Sequence, residues 1–495
     1  MVTHPHRTTP RLGLAILIAI VAVIAAQPAG ALAQDSLTRR LERQLQSAEQ
    51  QYQLRINPAL QLTERMMFQY GGRANFGFMA VDDTGQETRI LRQTTVQLYG
   101  DLNIDGIHQL FGRLRYQYRD FNPGHSFDGS GDATTYPLGD RWWYQLNLHR
   151  AIEAHEGKRS EFDLSVKLGR QYIFWGSGLT FADQLYAVSG TFRLDPFRLE
   201  AFAGVTPESS VIDFDSSRPS FDGDTNRLFV GGRVTYTGLD NHDPYAFVLT
   251  QEDQNDENFA VIGAAPPIAA RFEYDSTYIG VGSTGKLMPR LLYTAEFVYE
   301  MGQGLSDPID PAFPVARPQA LEDVEAWAAL LNLSYLFRDP HLSRVDFTSV
   351  FASGDDDRLL DTSNTFGGNL TGSKDRSFNA FGYVPSGQAF GAPLSNLMMF
   401  RVGASTFPLR EQEMFKRLQV GIDVFIFNKM DRNAPLDEAT NASRYLGFET
   451  DVYANWRILS DVALNLRYGV FFPGEGIRAD KDERHFLFAG ITYSF

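Results

Sequence analysis

Arg113, Arg115, Gln117 and Arg119 stand two residues apart, and Leu114, Tyr116 and Tyr118 fill the positions between them. A period of two belongs to a β-strand, whose successive side chains point to opposite faces. One face of this strand is a ladder of guanidinium groups, and the other is apolar and aromatic. A guanidinium keeps its charge at any physiological pH and grips oxyanions through paired N–H donors. The chemistry on offer is attraction of anions, without bond making. Lys167, Arg198, Arg233, Arg401, Arg457 and Arg467 take the polar parity of their own segments, and so do Glu296, Glu300, Glu449 and Asp451. The expectation is that these carboxylates pair with the cations and space them.

Such ladders need strands with one wet face and one apolar face. The C-terminus supplies the clearest case. Leu487, Ala489, Ile491, Tyr493 and Phe495 share one parity, and Phe495 ends the chain. Bacterial outer-membrane barrels characteristically finish on such an aromatic residue, and this end resembles them. In a bilayer, Arg on the lipid face costs about 2–4 kcal/mol at mid-depth, so the Arg ladder must face a lumen. Counting back from Arg484–Phe495 to Arg73–Val81 gives eighteen strands, with Leu60–Tyr70 a downward extension of the first, bent at Gly71-Gly72. Trp142–Ile152 is one of the eighteen. Tight turns such as Asn103–Gly106, Leu194-Asp195 and Leu459-Ser460 alternate with the long loops Asp120–Arg141, Pro207–Thr225, Glu252–Ala270, Gly302–Val324 and Ala352–Ser395. Short turns on one side and long loops on the other are the habit of outer-membrane barrels. The fold class predicted is therefore all-β: a transmembrane antiparallel barrel spanning residues 58–495, enclosing an aqueous channel. Ala352–Ser395, the longest loop, is the candidate lid or inward constriction. Arg170 falls on the lipid parity of its strand; a bulge at Gly169, or a place on the rim, would set it over the pore mouth.

The N-terminus fits that compartment. Arg7 and Arg11 precede an apolar run from Leu12 to Ala26, and Ala31-Leu32-Ala33 is a small-x-small cleavage site, so residues 1–33 read as a secretory signal. The run is shorter than the ~20 residues a membrane helix needs. Leu37, Leu41, Leu45, Ala48 and Tyr52 recur at helical steps, which places a short periplasmic helix over Asp35–Leu54 within residues 34–57. That helix is a linker, a contact for a periplasmic protein or a plug in the pore mouth. The chain carries no Cys and a net charge of −15, which becomes −17 once Arg7 and Arg11 are removed. Disulfides, lipid attachment at Cys and non-specific nucleic-acid binding are excluded on those grounds.

Other motifs lead nowhere. Gly280–Lys286 imitates a phosphate loop, but Leu287 stands where Ser or Thr belongs and Pro289 follows. Asp222 and Asp224 open like a calcium loop without its later Gly and Glu, and Asp355-Asp356-Asp357 is a second acidic cluster; both are weak metal candidates. No hydrolase or metalloprotease motif is present, so neither an enzyme nor a cofactor is expected.

Gly169-Arg170-Gln171 followed by Trp175-Gly176-Ser177-Gly178 resembles the strand-and-loop element of the alginate-export family of outer-membrane porins. Tyr445–Asp451, Gly469–Gly474 and the closing strand resemble that family's last three strands. The likeness covers about 162–207 and 396–495. It implies an eighteen-stranded barrel with an Arg-lined, electropositive constriction for an anionic polysaccharide. The helix at Asp35–Leu54 departs from the simplest family pattern. The expected partners are outer-membrane lipid and lipopolysaccharide, and an anionic, saccharide-like solute or polymer. A general uptake porin without polymer export, or a structural barrel with a loop-plugged pore, are the alternatives.

Overall fold

The computed structural model describes residue 61 and residues 65–495, apart from 86, 127–130, 158–159, 161, 209, 220, 222–224, 256–259, 263–267, 310–315 and 479–481. The signal segment, the helix over Asp35–Leu54 and the calcium candidates Asp222 and Asp224 lie outside the described residues. The strands are β1 Met66–Asp82, β2 Thr88–Ile104, β3 His108–Phe121, β4 Ala133–Asn147, β5 Asp163–Trp175, β6 Phe181–Leu194, β7 Phe197–Val205, β8 Arg227–Tyr236, β9 His242–Asp253, β10 Ala260–Ile262, β11 Ile268–Ala270, β12 Tyr274–Met288, β13 Leu291–Leu305, β14 Leu321–Leu336, β15 Arg344–Ala352, β16 Leu397–Thr406, β17 Leu418–Lys429, β18 Tyr445–Arg457, β19 Val462–Pro473 and β20 Arg484–Ser494. One helix, α1 Leu148–Glu156, joins β4 to β5.

Eighteen of these strands form one antiparallel sheet in which each pairs with its sequence neighbours, β10 and β11 making a separate hairpin. The sheet closes because β1 pairs with both β2 and β20. Closure leaves no exposed strand edge at the seam. Phe495 extends that seam: its N–H donates to the Gly72 carbonyl at 3.0 Å and its carbonyl accepts from Gly72 at 2.9 Å. A Cβ on Gly72 would come within 2.6 Å of the Phe495 ring, so the terminal aromatic packs over a position that only Gly can fill. β1 begins at Met66 and runs without interruption through Gly71-Gly72, so the extension of the first strand covers Met66–Tyr70 of the predicted Leu60–Tyr70 and does not include Gln61.

The two faces separate as the alternation requires. Leu114, Tyr116, Tyr118, Phe297, Tyr299, Leu466, Tyr468, Leu487, Ile491 and Tyr493 are exposed on the outside, while Arg113, Glu296, Glu300, Glu449 and Asp451 are buried within. Among the described residues no helix is long and apolar enough to cross a membrane. Gly280–Lys286 is strand, inside β12.

The largest boundary difference from expectation is at β4, while the predicted loops Gly302–Val324 and Glu252–Ala270 are also partly strand. β4 begins at Ala133 and ends at Asn147, and Leu148–Glu156 is helix, so Ile152 is helical and the loop before β4 is shorter than Asp120–Arg141. Pro137 and Gly139 mask the alternation at the start of this strand, and its pairing with β3 is irregular there. The helix ends at Gly157, whose φ of 68° lets its N–H bond back to Glu153.

Candidate functional site

The lumen has two unlike halves. In the half towards the long loops, two segments leave the wall and fill the interior. One is the tip of the β5–β6 hairpin; the other is the loop 353–396 between β15 and β16. Their backbones meet: Ala182 N–H donates to the Phe381 carbonyl at 3.1 Å, and Tyr383 N–H to Gly178 at 2.8 Å. Trp175, Leu179, Phe181 and Leu185 from the hairpin join Phe378, Phe381, Val384 and Phe390 from the loop in one buried cluster with the wall residues Phe229, Phe425, Phe427 and Phe471. Phe390 stacks on Phe471 with ring centres 4.3 Å apart. The predicted lid is thus an inward-folded, apolar-cored constriction.

Carboxylates of the wall clamp these segments. Glu296 accepts from the Ser177 N–H at 2.7 Å, the Ser177 hydroxyl at 2.8 Å and the Tyr245 hydroxyl at 2.6 Å. Glu300 accepts from the Asn379 N–H at 3.0 Å and the Tyr274 hydroxyl at 2.7 Å. Glu449 accepts from the successive N–H groups of Gln388, Ala389 at 2.8 Å and Phe390 at 2.9 Å. A buried carboxylate needs several donors, and here they are backbone N–H groups of the two inserted segments together with hydroxyls of Ser177, Tyr245 and Tyr274. This corrects the expectation that Glu296, Glu300 and Glu449 space the arginines: they anchor the constriction. Asp451, also buried, is the register neighbour of Asp423.

The half towards the short turns is wetter and basic. A cavity of about 560 Å³ is lined by Arg150, Lys167, Arg193, Arg198 and Arg233, against the two carboxylates Asp163 and Glu200. Arg233 donates to Glu200 at 2.6 and 2.9 Å, and Arg198 lies 3.3 Å from the same carboxylate oxygen. Arg113 makes a bidentate pair with Asp140 at 2.9 Å, and Arg115 shares that carboxylate at 3.6 Å. At Glu200 two cations share one carboxylate. Arg401 pairs singly with Asp423 at 2.6 Å. Lys167 sits 4.0 Å over the Trp143 ring, and Arg467 lies 5.6 Å from Tyr453. Arg119 is half-buried and carries no ion pair among the described residues.

Two predicted site residues lie outside the lining of this cavity, Arg170 within electrostatic reach of Asp140 and Arg115. The β5–β6 register runs through Gly169 without a shift, so no bulge flips Arg170 inward. Arg170 faces Trp142 and Tyr186 across the sheet, both exposed outside, and is buried against Gln184 at 3.1 Å and Ser210 at 3.0 Å. Arg457 is exposed at the short-turn rim, where it caps the Ser460 carbonyl.

Several residues went unpredicted. Asp140 and Arg141 sat in what read as loop, and Glu200 and Asp423 are single acids whose partners lie on other strands. Arg218, Arg227, Asp213 and Asp253 form a buried ionic knot at the long-loop end, with Arg227 on Asp213 at 3.0 Å. Beside it, the Thr365 N–H donates to Asp215 at 3.0 Å, tying the loop 206–226 to the constriction. The carboxylates of Asp355, Asp356 and Asp357 lie within 4.8 Å of one another. Asp355 already accepts from the N–H groups of Asp357 and Arg376 at 2.9 and 2.6 Å, a turn-building use.

Residues 182–489 match the alginate export family. The chain belongs to the alginate export family. The matched span opens one residue into β6 and takes in the last strands, whereas Gly169–Gln171 and Trp175–Gly178 precede it. Among solved structures, Acinetobacter baumannii OccAB1 is 10% identical, with 86% of this chain and 96% of that chain covered and a TM-score of 0.51. Pseudomonas aeruginosa OccK11 (OpdR) is 10% identical over 89% of this chain and 99% of its own, at a TM-score of 0.48. Pseudomonas aeruginosa OccK5 (OpdH) is 10% identical over 86% and 98%, at 0.47. The OccAB1 likeness speaks to fold alone. No curated protein sequence matches the chain. This alginate export family member is a porin-like barrel of the outer membrane, surrounded by lipid.

Proposed function

We propose that this barrel passes an anionic, saccharide-like solute or polymer across the outer membrane, with no catalytic step. The observation that carries this reading is the unbalanced charge of the wet half. Arg150, Lys167, Arg193, Arg198 and Arg233 line the cavity against Asp163 and Glu200, and Arg198 and Arg233 share Glu200. Charged rings select ions, and low-dielectric walls concentrate their field. The Asn, Gln, Ser and Thr side chains of the same cavity offer hydroxyl-matching donors and acceptors, which suits a sugar acid. In this reading the signal segment ends near Ala33, the short turns face the periplasm, the long loops face lipopolysaccharide, and the Asp35–Leu54 segment meets a periplasmic protein.

The test is reversal potential across a planar bilayer under a salt gradient. The expected result is anion preference in the native protein, with the potential moving towards zero in the Arg198→Gln/Arg233→Gln variant. A cation-selective native channel would sink the proposal, and an unchanged variant would move the filter to Arg113, Arg115 and Arg401.

A further inference from the structure

The short-turn rim of the barrel is not uniform in charge. The turns joining β12 to β13, β14 to β15 and β16 to β17, with the strand ends beside them, carry the exposed cations Lys286, Arg290, Arg338, Arg410 and Arg417. These strands are successive neighbours in the sheet, so the three turns follow one another round the rim. Lys286, Arg290 and Arg338 enter no ion pair among the described residues. Of the carboxylates on the same turns, Asp339 accepts from the Ser343 N–H at 2.8 Å and builds its own turn, and Glu413 pairs with Lys416. Glu411 is left to balance the rest. Further round the rim, the turns 195–196 and 237–241 carry the exposed carboxylates Asp195 and Asp240 and no Lys or Arg.

Each basic turn also presents large apolar side chains. Leu287, Met288, Leu342 and Met414 are each more than half exposed. Trp456 stacks on Phe415 with ring centres 5.0 Å apart and donates from Nε1 to the Met414 carbonyl at 3.2 Å, which holds the apolar tip of the third turn. Phe337 packs on Tyr335 with ring centres 4.9 Å apart. Tyr335 stands opposite Leu291 in the register, on the parity of the outward-facing Phe297 and Tyr299, so this surface continues the lipid-facing wall and not the lumen. Leu194, Phe197 and Leu239 are also exposed beside the acidic turns. Apolar surface therefore marks the membrane boundary all round the rim, while charge singles out one sector. Apolar anchors combined with cations bind anionic bilayer surfaces, and long Lys and Arg stems cover apolar surface while the charge stays at the headgroups.

We infer that this sector of the rim, from Lys286 round to Arg417, is a docking surface for the headgroups of anionic phospholipids. The inference rests on the reading above that the short turns face the periplasm, whose leaflet is phospholipid, and it concerns the neighbours of the barrel in the membrane, not its solute. The apolar side chains of the turns enter the headgroup boundary, and the cations beside them meet phosphate. An acidic protein segment would also match the cations, but it would leave the apolar continuation of the lipid-facing wall without a role.

In the test, the barrel folded in detergent receives equal amounts of phosphatidylglycerol and phosphatidylcholine with matched acyl chains, and native mass spectrometry counts the lipids retained. The native protein is expected to keep phosphatidylglycerol at least about fivefold over phosphatidylcholine. The Lys286→Gln/Arg290→Gln/Arg338→Gln/Arg417→Gln variant is expected to keep the two about equally. Asp195→Lys/Asp240→Lys, which places cations beside the apolar residues of the other turns, is expected to raise the phosphatidylglycerol count, and this arm stands even where the first variant does not fold. Equal retention by the native protein overturns the docking surface, as does a preference that survives the four substitutions or a Lys variant that gains no lipid. Binding of polyglutamate without binding of phosphatidylglycerol makes the occupant a protein segment and also overturns it. Sidedness is read separately. The chain has no Cys, so Met414→Cys is the single target for a maleimide too large to pass the pore. Labelling only after lysis of the cells supports the periplasmic placing; labelling on intact cells overturns that placing, and the leaflet with it, whatever the lipid preference.

Discussion

The two halves of this lumen use charge in opposite ways. Towards the long loops, carboxylates are buried and face backbone N–H groups: Glu449 holds three successive amides, Glu300 and Glu296 one each plus tyrosine hydroxyls. Towards the short turns, guanidinium groups line a wet cavity and outnumber their carboxylates. The first arrangement fixes chain segments in place. The second leaves net charge available to a passing ion. A charged residue on the lumen parity is therefore not by itself a pore-lining residue: what it faces decides, and in the upper half it faces a folded loop.

Removing apolar contacts from the constriction should have the largest effect on stability. Phe381 packs on Phe214 and Phe229 with ring centres 5.1 and 5.0 Å away. Phe381→Ala is expected to cost about 3–5 kcal/mol, read as a lower denaturant midpoint. A cost near zero would mean that the loop 353–396 is a passive filler. Next comes the clamp. Glu449→Ala strands three buried N–H groups and is expected to cost about 1–3 kcal/mol, with Glu449→Gln costing less because its amide oxygen still accepts. Equal costs for the two variants would show that charge, not acceptance, holds the loop.

A third effect depends on pH. Burial pushes the Asp307 carboxyl, in the loop after β13, up to about 7. Its folded value stands above the unfolded ~3.9, so the stability it contributes is present below about pH 4 and lost as pH rises through about 7. Asp307→Asn should therefore gain stability relative to the native chain between pH 5 and pH 8, measured by thermal unfolding at both. The smallest stability effect belongs to the wet half: the Arg198→Gln/Arg233→Gln variant should unfold within about 1 kcal/mol of the native protein while changing reversal potential. A large stability loss there would erase the contrast between the halves.

Much of this fold is legible in single strands. Arg113–Arg119 and Leu487–Phe495 announce their faces because lipid and water impose opposite costs on alternate side chains. Arg170 shows where that legibility stops: its parity is plain, yet what buries it comes from Gln184 and from Ser210 on a distant loop. Asp140 was hidden by the Pro137–Gly139 irregularity beside it. Ser177 and Glu296 lie 119 residues apart in the chain, and neither carries a local signal of the other.

Strand alternation, the barrel, its even strand count and the sorting of short turns from long loops are readable in the chain alone, because these follow from a repeat of two against two solvents. Which lumen charges remain open to a solute emerges only once the chain is folded. That depends on where the hairpin 171–185 and the loop 353–396 fold, and a carboxylate surrounded by amides has the same sequence as one surrounded by water.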